Sequence, residues 1–154
     1  MEKRQLPLDF REFLKLLNEN EVEYLLIGGY AVTYHGYPRS TYDMDIWIGI
    51  SQRNAVKMTQ VMESFGFNRG DVSPELFLTE RCMVRMGVPP VRLEVLTSIS
   101  GVNFASCFRN RTIDFIDGVE VNIIGLKDLR QNKAASGRAK DLNDLEKLPL
   151  ESAP

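Results

Sequence analysis

Apolar residues first recur at helical spacing at Phe10, Phe13, Leu14 and Leu17. This pattern predicts an amphipathic helix that Asp9 caps, with Glu12 at the capping-box position, and that ends near Asn20. Residues 22–27, Val-Glu-Tyr-Leu-Leu-Ile, are a short, mostly apolar run that stops at Gly28-Gly29, which reads as a buried strand and then a tight turn. A short helix is expected over 30–35, ending at Gly36. Over 41–50 the period changes to two: Asp43, Asp45 and Trp47 alternate with Met44, Ile46 and Ile48, so one strand turns both aspartates the same way. Ser51 is placed to cap a second long helix carrying Ala55, Met58, Met62 and Phe65, with Gly66 as its terminator. An irregular stretch is expected through Pro74 and as far as Pro89-Pro90. Val91, Leu93 and Val95 then alternate with Arg92 and Glu94, a strand with Glu94 opposite its aliphatics. Asp117-Gly118 predicts a hairpin turn between two short strands. Helices over 126–136 and 138–148, divided by Gly137 and marked by Leu142, Leu145 and Leu148, complete the pattern.

Nothing in this pattern repeats or breaks into a linker, and 154 residues suit one domain over 1–154. With 19 Lys plus Arg against 21 Asp plus Glu, no broad positive field is available to hold a long polyanion. A local basic pocket is still compatible with that balance. Cys82 and Cys107 are far apart and outside any CxxC spacing, so neither a disulfide framework nor a cysteine zinc site is indicated. Met1-Glu2-Lys3-Arg4-Gln5 leads into no long apolar run, so a cytoplasmic protein without a membrane partner is expected. His35 is the single histidine, which disfavours histidine-built zinc hydrolases and leaves the chemistry to carboxylates.

Two acids one residue apart on a strand project from one face about 7 Å apart at the backbone, close enough for their side chains to converge on one metal. A third acid from a neighbouring strand completes an oxygen cage of the kind Mg²⁺ requires. A pair of such ions roughly 3.5 to 4 Å apart binds both the attacking and the leaving oxygen of a phosphoryl displacement. Asp43, Asp45 and Glu94 are the residues of that type. The Gly28-Gly29 turn offers backbone N–H groups free of side-chain obstruction, a common way to cradle phosphate.

The order Gly28-Gly29-Tyr30-Ala31-Val32, His35-Gly36, Arg39, Thr41, Asp43-x-Asp45-Ile46 resembles the core motif of the nucleotidyltransferase superfamily. It is most similar to the nucleotidyltransferase-like toxins of abortive-infection and toxin–antitoxin systems. Arg92-Leu93-Glu94-Val95-Leu96-Thr97 resembles the third-carboxylate strand of that superfamily. Lys133 through Leu148, with Gly137-Arg138 and Lys140-Asp141-Leu142, resembles its C-terminal helical signature. The resemblance implies an α/β fold, a short mixed sheet flanked by helices. It further implies that Asp43, Asp45 and Glu94 are both catalytic and metal-binding, with two Mg²⁺ ions, and that Gly28, Gly29, Arg39, Lys133 and Arg138 bind the nucleoside triphosphate donor. Many members carry Gly-Ser where this chain has Gly29-Tyr30, and an aspartate where it has Glu94.

Each of these residues also has an ordinary structural reading. Glu94 beside Arg92 and downstream of Arg85 fits an exposed cross-strand ion pair, and Lys133, Arg138 and Lys140 fit a solvated helix face. Trp47 suits a sheet cover better than a nucleobase platform, and His35 suits a helix end better than a base. The leading expectation is metal-dependent transfer of a nucleoside monophosphate from an NTP to an RNA 3′ end, a protein hydroxyl or a small molecule. The competing expectation is a weakly active or inactive binding subunit that keeps the fold and pairs with a cognate antitoxin or other partner protein.

Overall fold

A computed structural model describes residues 6–68, 70–88 and 91–151. Pro89, Pro90 and the segment Met1-Glu2-Lys3-Arg4-Gln5 lie outside the described residues. The elements in order are α1 (Leu8–Glu19), β1 (Tyr24–Ile27), α2 (Gly28–Tyr34), β2 (Asp43–Ile48), α3 (Gln52–Phe65), a 3₁₀ turn (Pro74–Phe77), β3 (Met83–Val88), β4 (Val91–Leu96), α4 (Phe104–Arg109), β5 (Thr112–Ile116), β6 (Val119–Ile123), α5 (Leu126–Ser136) and α6 (Ala139–Lys147). The strands form one sheet in the order β3-β4-β2-β1-β6-β5. β2 with β4 and β1 with β6 are parallel, and the other neighbours are antiparallel. The architecture is therefore mixed α/β, with helices flanking the sheet.

β2 shows how pattern becomes packing. Met44, Ile46 and Ile48 are fully buried, whereas Asp43 and Asp45 on the opposite face are only partly covered. Trp47 shares the aspartate face but is buried edge-on against Phe104 of α4, ring centroids 5.1 Å apart. It covers the sheet. α1 buries Phe10, Phe13, Leu14, Leu16 and Leu17 and packs on α3 through the edge-to-face pair Phe13 and Phe65. Truncating one such core residue to alanine typically costs about 2 to 5 kcal/mol.

Two caps follow the sequence closely. Ser51 accepts a hydrogen bond from the Asn54 N–H at the start of α3, and Gly66 ends that helix in left-handed backbone. Asp117 and Gly118 both have positive φ, 49° and 80°, as a two-residue hairpin turn between β5 and β6 requires. Elsewhere the structure differs from the expectation. α1 starts after Pro7, so Asp9 lies within its first turn and no side chain caps it. The two glycines are the first residues of α2 and not a turn before it. β3 and α4 occupy stretches without a clear period: β3 is an edge strand with only Met86 buried, and α4 is a six-residue helix capped by Asn103. In α6 the inward face carries Asp141 and Asp144 beside the helix end at Leu148, while Leu142 is exposed. Among the described residues, no helix is long and apolar enough to cross a membrane.

Candidate active site

Parallel pairing of β2 with β4 sets Asp43 opposite Arg92 and Asp45 opposite Glu94, and β3 adds Arg85 opposite Glu94. Residues in register project to the same side of a sheet, so the three acids and two arginines share one face. On the other flank of β2, Asp45 is opposite Ile27, the last residue of β1, and Gly28 follows directly.

Each carboxylate has its own environment. Arg92 grips Asp43 with a fork, Nε to Oδ1 at 2.9 Å and Nη2 to Oδ2 at 2.8 Å, and its Nε lies 3.6 Å from Glu94 Oε1. Arg85 Nε donates to Glu94 Oε1 at 3.0 Å. Asp45 Oδ1 is buried without a hydrogen-bond partner, and Asp45 Oδ2 occupies the space that a Cβ on Gly28 would fill. Gly28 has φ +66°, so only a residue without a side chain both adopts that backbone and lets Asp45 come so close. Burial pushes the Asp45 carboxyl up to about 7, assisted by its hydrogen bond with Glu94 and by the charges of Glu94 and Asp43, with Lys140 opposing.

Three carboxylates on one face are the hard oxygen donors that Mg²⁺ takes, and the partnerless, buried Oδ1 of Asp45 is a ligand that such an ion would satisfy. In residue type and facing, the site fits a divalent cation. In side-chain conformation, no three His, Cys, Asp or Glu groups converge into a finished cage among the described residues. Asp43 and Glu94 are drawn to the arginines instead.

Gly28 and Gly29 open α2, whose first turn has no side-chain cap. A Cβ on Gly29 would lie 2.6 Å from Thr41 Oγ1, and that hydroxyl donates to the Asp43 carbonyl at 3.2 Å. Enlarging Gly29 therefore disturbs the start of β2 as well as any approach to the helix.

The three cations expected at phosphate meet a second acidic pair. Arg39 gives Nε and Nη2 to Asp144, both at 2.8 Å. Lys133 is buried, with Nζ 3.0 Å from both Asp141 and Asp144. Arg138 reaches Asp141 at 2.7 Å with its side chain largely exposed, and Ser136 hydrogen-bonds the same carboxylate. This cluster ties the segment between α2 and β2 to α5 and α6. His35 closes α2 and donates from Nε2 to the Ile124 carbonyl at 2.7 Å, and burial lowers its pKa.

The ion pairing of Glu94 with Arg85 and Arg92 is present as the sequence suggested, but the fork of Arg92 on Asp43 and the reach of Lys140 to Asp45 were not foreseen. The alternation of Arg92 with Leu93 was the available signal for the first of these. Asp141 stood in the C-terminal helical signature without a role assigned to it, and Asp144 gave no signal, since acids three apart on a helix usually mark its wet side.

The comparisons with known proteins agree with the fold. The fold is similar to that of a crystal structure from Thermotoga maritima described as a candidate nucleotidyltransferase, with a TM-score of 0.59, 16% identity, and 90% of this chain and 88% of that one covered. At that identity the likeness shows the fold alone. Residues 6–152 match the model of a family described as a nucleotidyltransferase of unknown function, DUF6036, and the chain belongs to that family. No protein of curated function matches.

Proposed function

We propose that the protein transfers a nucleoside monophosphate from an NTP to an acceptor hydroxyl with the help of divalent metal. The observation that carries this reading is the register of Asp45 with Glu94 on adjacent parallel strands, with Asp43 on the same face and the α2 glycines beside Asp45. Mg²⁺ held by Asp43, Asp45 and Glu94 would neutralise charge on the attacking and leaving oxygens. The chain's own groups do the rest. The first turn of α2 presents N–H groups to the triphosphate. Glu94 accepts the proton of the acceptor hydroxyl, whose oxygen bonds to the α-phosphorus as the bond to the β-phosphate oxygen breaks and pyrophosphate leaves. Arg39, Lys133 and Arg138 shape the cleft by anchoring α6, and of these Arg138 is the most exposed for phosphate. The acceptor class is an RNA 3′ end, a protein hydroxyl or a small molecule. The motif likeness to toxins supports an acceptor that is disabled by the transfer, with a cognate antitoxin as partner.

The test is incubation with Mg²⁺ and each α-labelled NTP in the presence of cell RNA, cell protein or small-molecule pools. Labelled product and released pyrophosphate are expected from the wild type, falling at least a hundredfold in Asp45→Asn, the order of loss seen when one transition-state contact is removed. Nucleotide binding without any transfer would favour the binding-subunit reading instead.

A further inference from the structure

Arg92 occupies an unusual position for a residue in an acidic cleft. Its guanidinium forks onto both oxygens of Asp43 and stands 3.6 Å from Glu94, so it bridges two of the three carboxylates that a divalent cation would have to share. The contact is built into the sheet: Asp43 and Arg92 are register partners on parallel strands, and the Arg92 N–H bonds the Tyr42 carbonyl next to Asp43. The fork takes a lone pair on each Asp43 oxygen and sets a positive charge beside both, so an Mg²⁺ ion coordinating there meets a competing cation. The Arg92 side chain remains partly exposed, 26%, and so has room to move toward the open side of the cleft.

Resting on the nucleotidyl-transfer reading above, we propose that Arg92 is an exchangeable counter-ion: a divalent cation displaces it from Asp43, and the triphosphate arriving with that cation takes it up. Arginine is suited to both partners, since its planar fork matches phosphate as well as carboxylate. Metal alone therefore binds weakly, because each ion must first strand a guanidinium among its own competitors. Metal with nucleotide binds well, because the phosphates re-pair the guanidinium. The arginine thereby couples the two ligands, and any aid to one is an equal aid to the other.

Removing the guanidinium should shift the two affinities in opposite directions. Calorimetric titration of Arg92→Gln with Mn²⁺ alone is expected to show about tenfold tighter binding than the wild type, the effect of deleting a competitor that leaves about a tenth of the site available. Titration with a non-hydrolysable NTP at saturating Mn²⁺ is expected to show about tenfold weaker binding, the loss of one charge-assisted phosphate contact. Lys140→Gln removes a positive charge near Asp45 without freeing Asp43 and serves as the control. An equal Mn²⁺ gain in that variant would mean that the general field sets metal affinity, and would overturn the proposal. So would an unchanged Mn²⁺ affinity in Arg92→Gln, or a change of the same sign for both ligands. If Arg92→Gln does not fold, the wild type still decides: the side-chain Nε–H resonance of Arg92 should leave its salt-bridged position on Mg²⁺ addition, and its staying there at saturation overturns the exchange. If neither protein binds nucleotide, the transfer reading fails and the hand-over with it, while the Mn²⁺ arm still reports whether Arg92 guards Asp43.

Discussion

Asp45 is the residue on which sequence and structure meet most directly. Its place beside Asp43 on one strand face was legible from alternation alone, but its ionisation was not, because that depends on burial and on Glu94 from a strand 49 residues downstream. A carboxyl raised to about 7 in the fold, against an ordinary value near 4, binds a proton in the native state that the unfolded chain has already lost at neutral pH. The sign follows: Asp45 weakens the fold progressively from about pH 4 to pH 7, and the penalty is full above that range. Asp45→Asn keeps the shape and removes the charge that faces Glu94 and Asp43. Without added metal the variant should be more stable than wild type at pH 8, on the order of 2 kcal/mol given roughly 1.4 kcal/mol per pKa unit and a proton shared with Glu94. The two should converge near pH 4. Urea denaturation at both pH values measures this, and a variant less stable than wild type at pH 8 would show that the ionised carboxylate is needed for structure.

Among the elements, α5 and α6 were found in the sequence at nearly their true bounds, yet their inward face was misread. Leu142, one of the leucines that marked the helix, is exposed, while Lys133, which fitted a solvated face, is buried with Asp141 and Asp144. Hydrophobic period locates a helix, but it cannot reveal that the partner surface offers Lys133 and Arg39 in place of apolar groups. The same limit hid β3, whose Gly87 and neighbouring prolines read as loop although its register with β4 is regular. The buried ions carry a clear expectation. Asp144→Asn leaves Lys133 buried with half its pairing and Arg39 without its fork, and should cost about 3 kcal/mol. Arg138→Gln, whose side chain is 74% exposed, should cost under about 1 kcal/mol. Equal losses in thermal melts would mean that burial does not rank these pairs. For Asp141, burial alone would raise the pKa, but hydrogen bonds from Ser136, Lys133 and Arg138 outweigh it and hold the group at about 2. This part of the fold's stability is therefore present at neutral pH and lost as the solution is acidified from about pH 4 toward 2.

For the molecule as a whole, the fold class and the face bearing the three acids could be read from strand periods and motif order, because both depend on local sequence. The pairing of Arg92 with Asp43, and that of Arg39 with Asp144 of α6, join residues 49 and 105 positions apart and emerge only when the chain closes on itself, whereas Lys133 meets its acids locally between α5 and α6. The cluster on α6 also governs when the protein becomes complete during its own synthesis. Arg39 and the acids of β2 leave the ribosome early, but the carboxylates that hold Arg39 and neutralise Lys133 arrive only with α6. Until then a lysine destined for burial has no partner, which opposes the docking of α5 that Leu126 and Leu129 favour. A nascent chain should thus stay open, and unable to turn over nucleotide, until α6 is translated. Ribosome-arrested chains ending at Gly137 and at Leu148, each followed by an unstructured linker long enough to clear the exit tunnel, distinguish this: the shorter should be cleaved rapidly by protease and the longer protected. Equal protection would mean that β1 to α5 fold without the last helix, and that the chain could begin its chemistry while still being made.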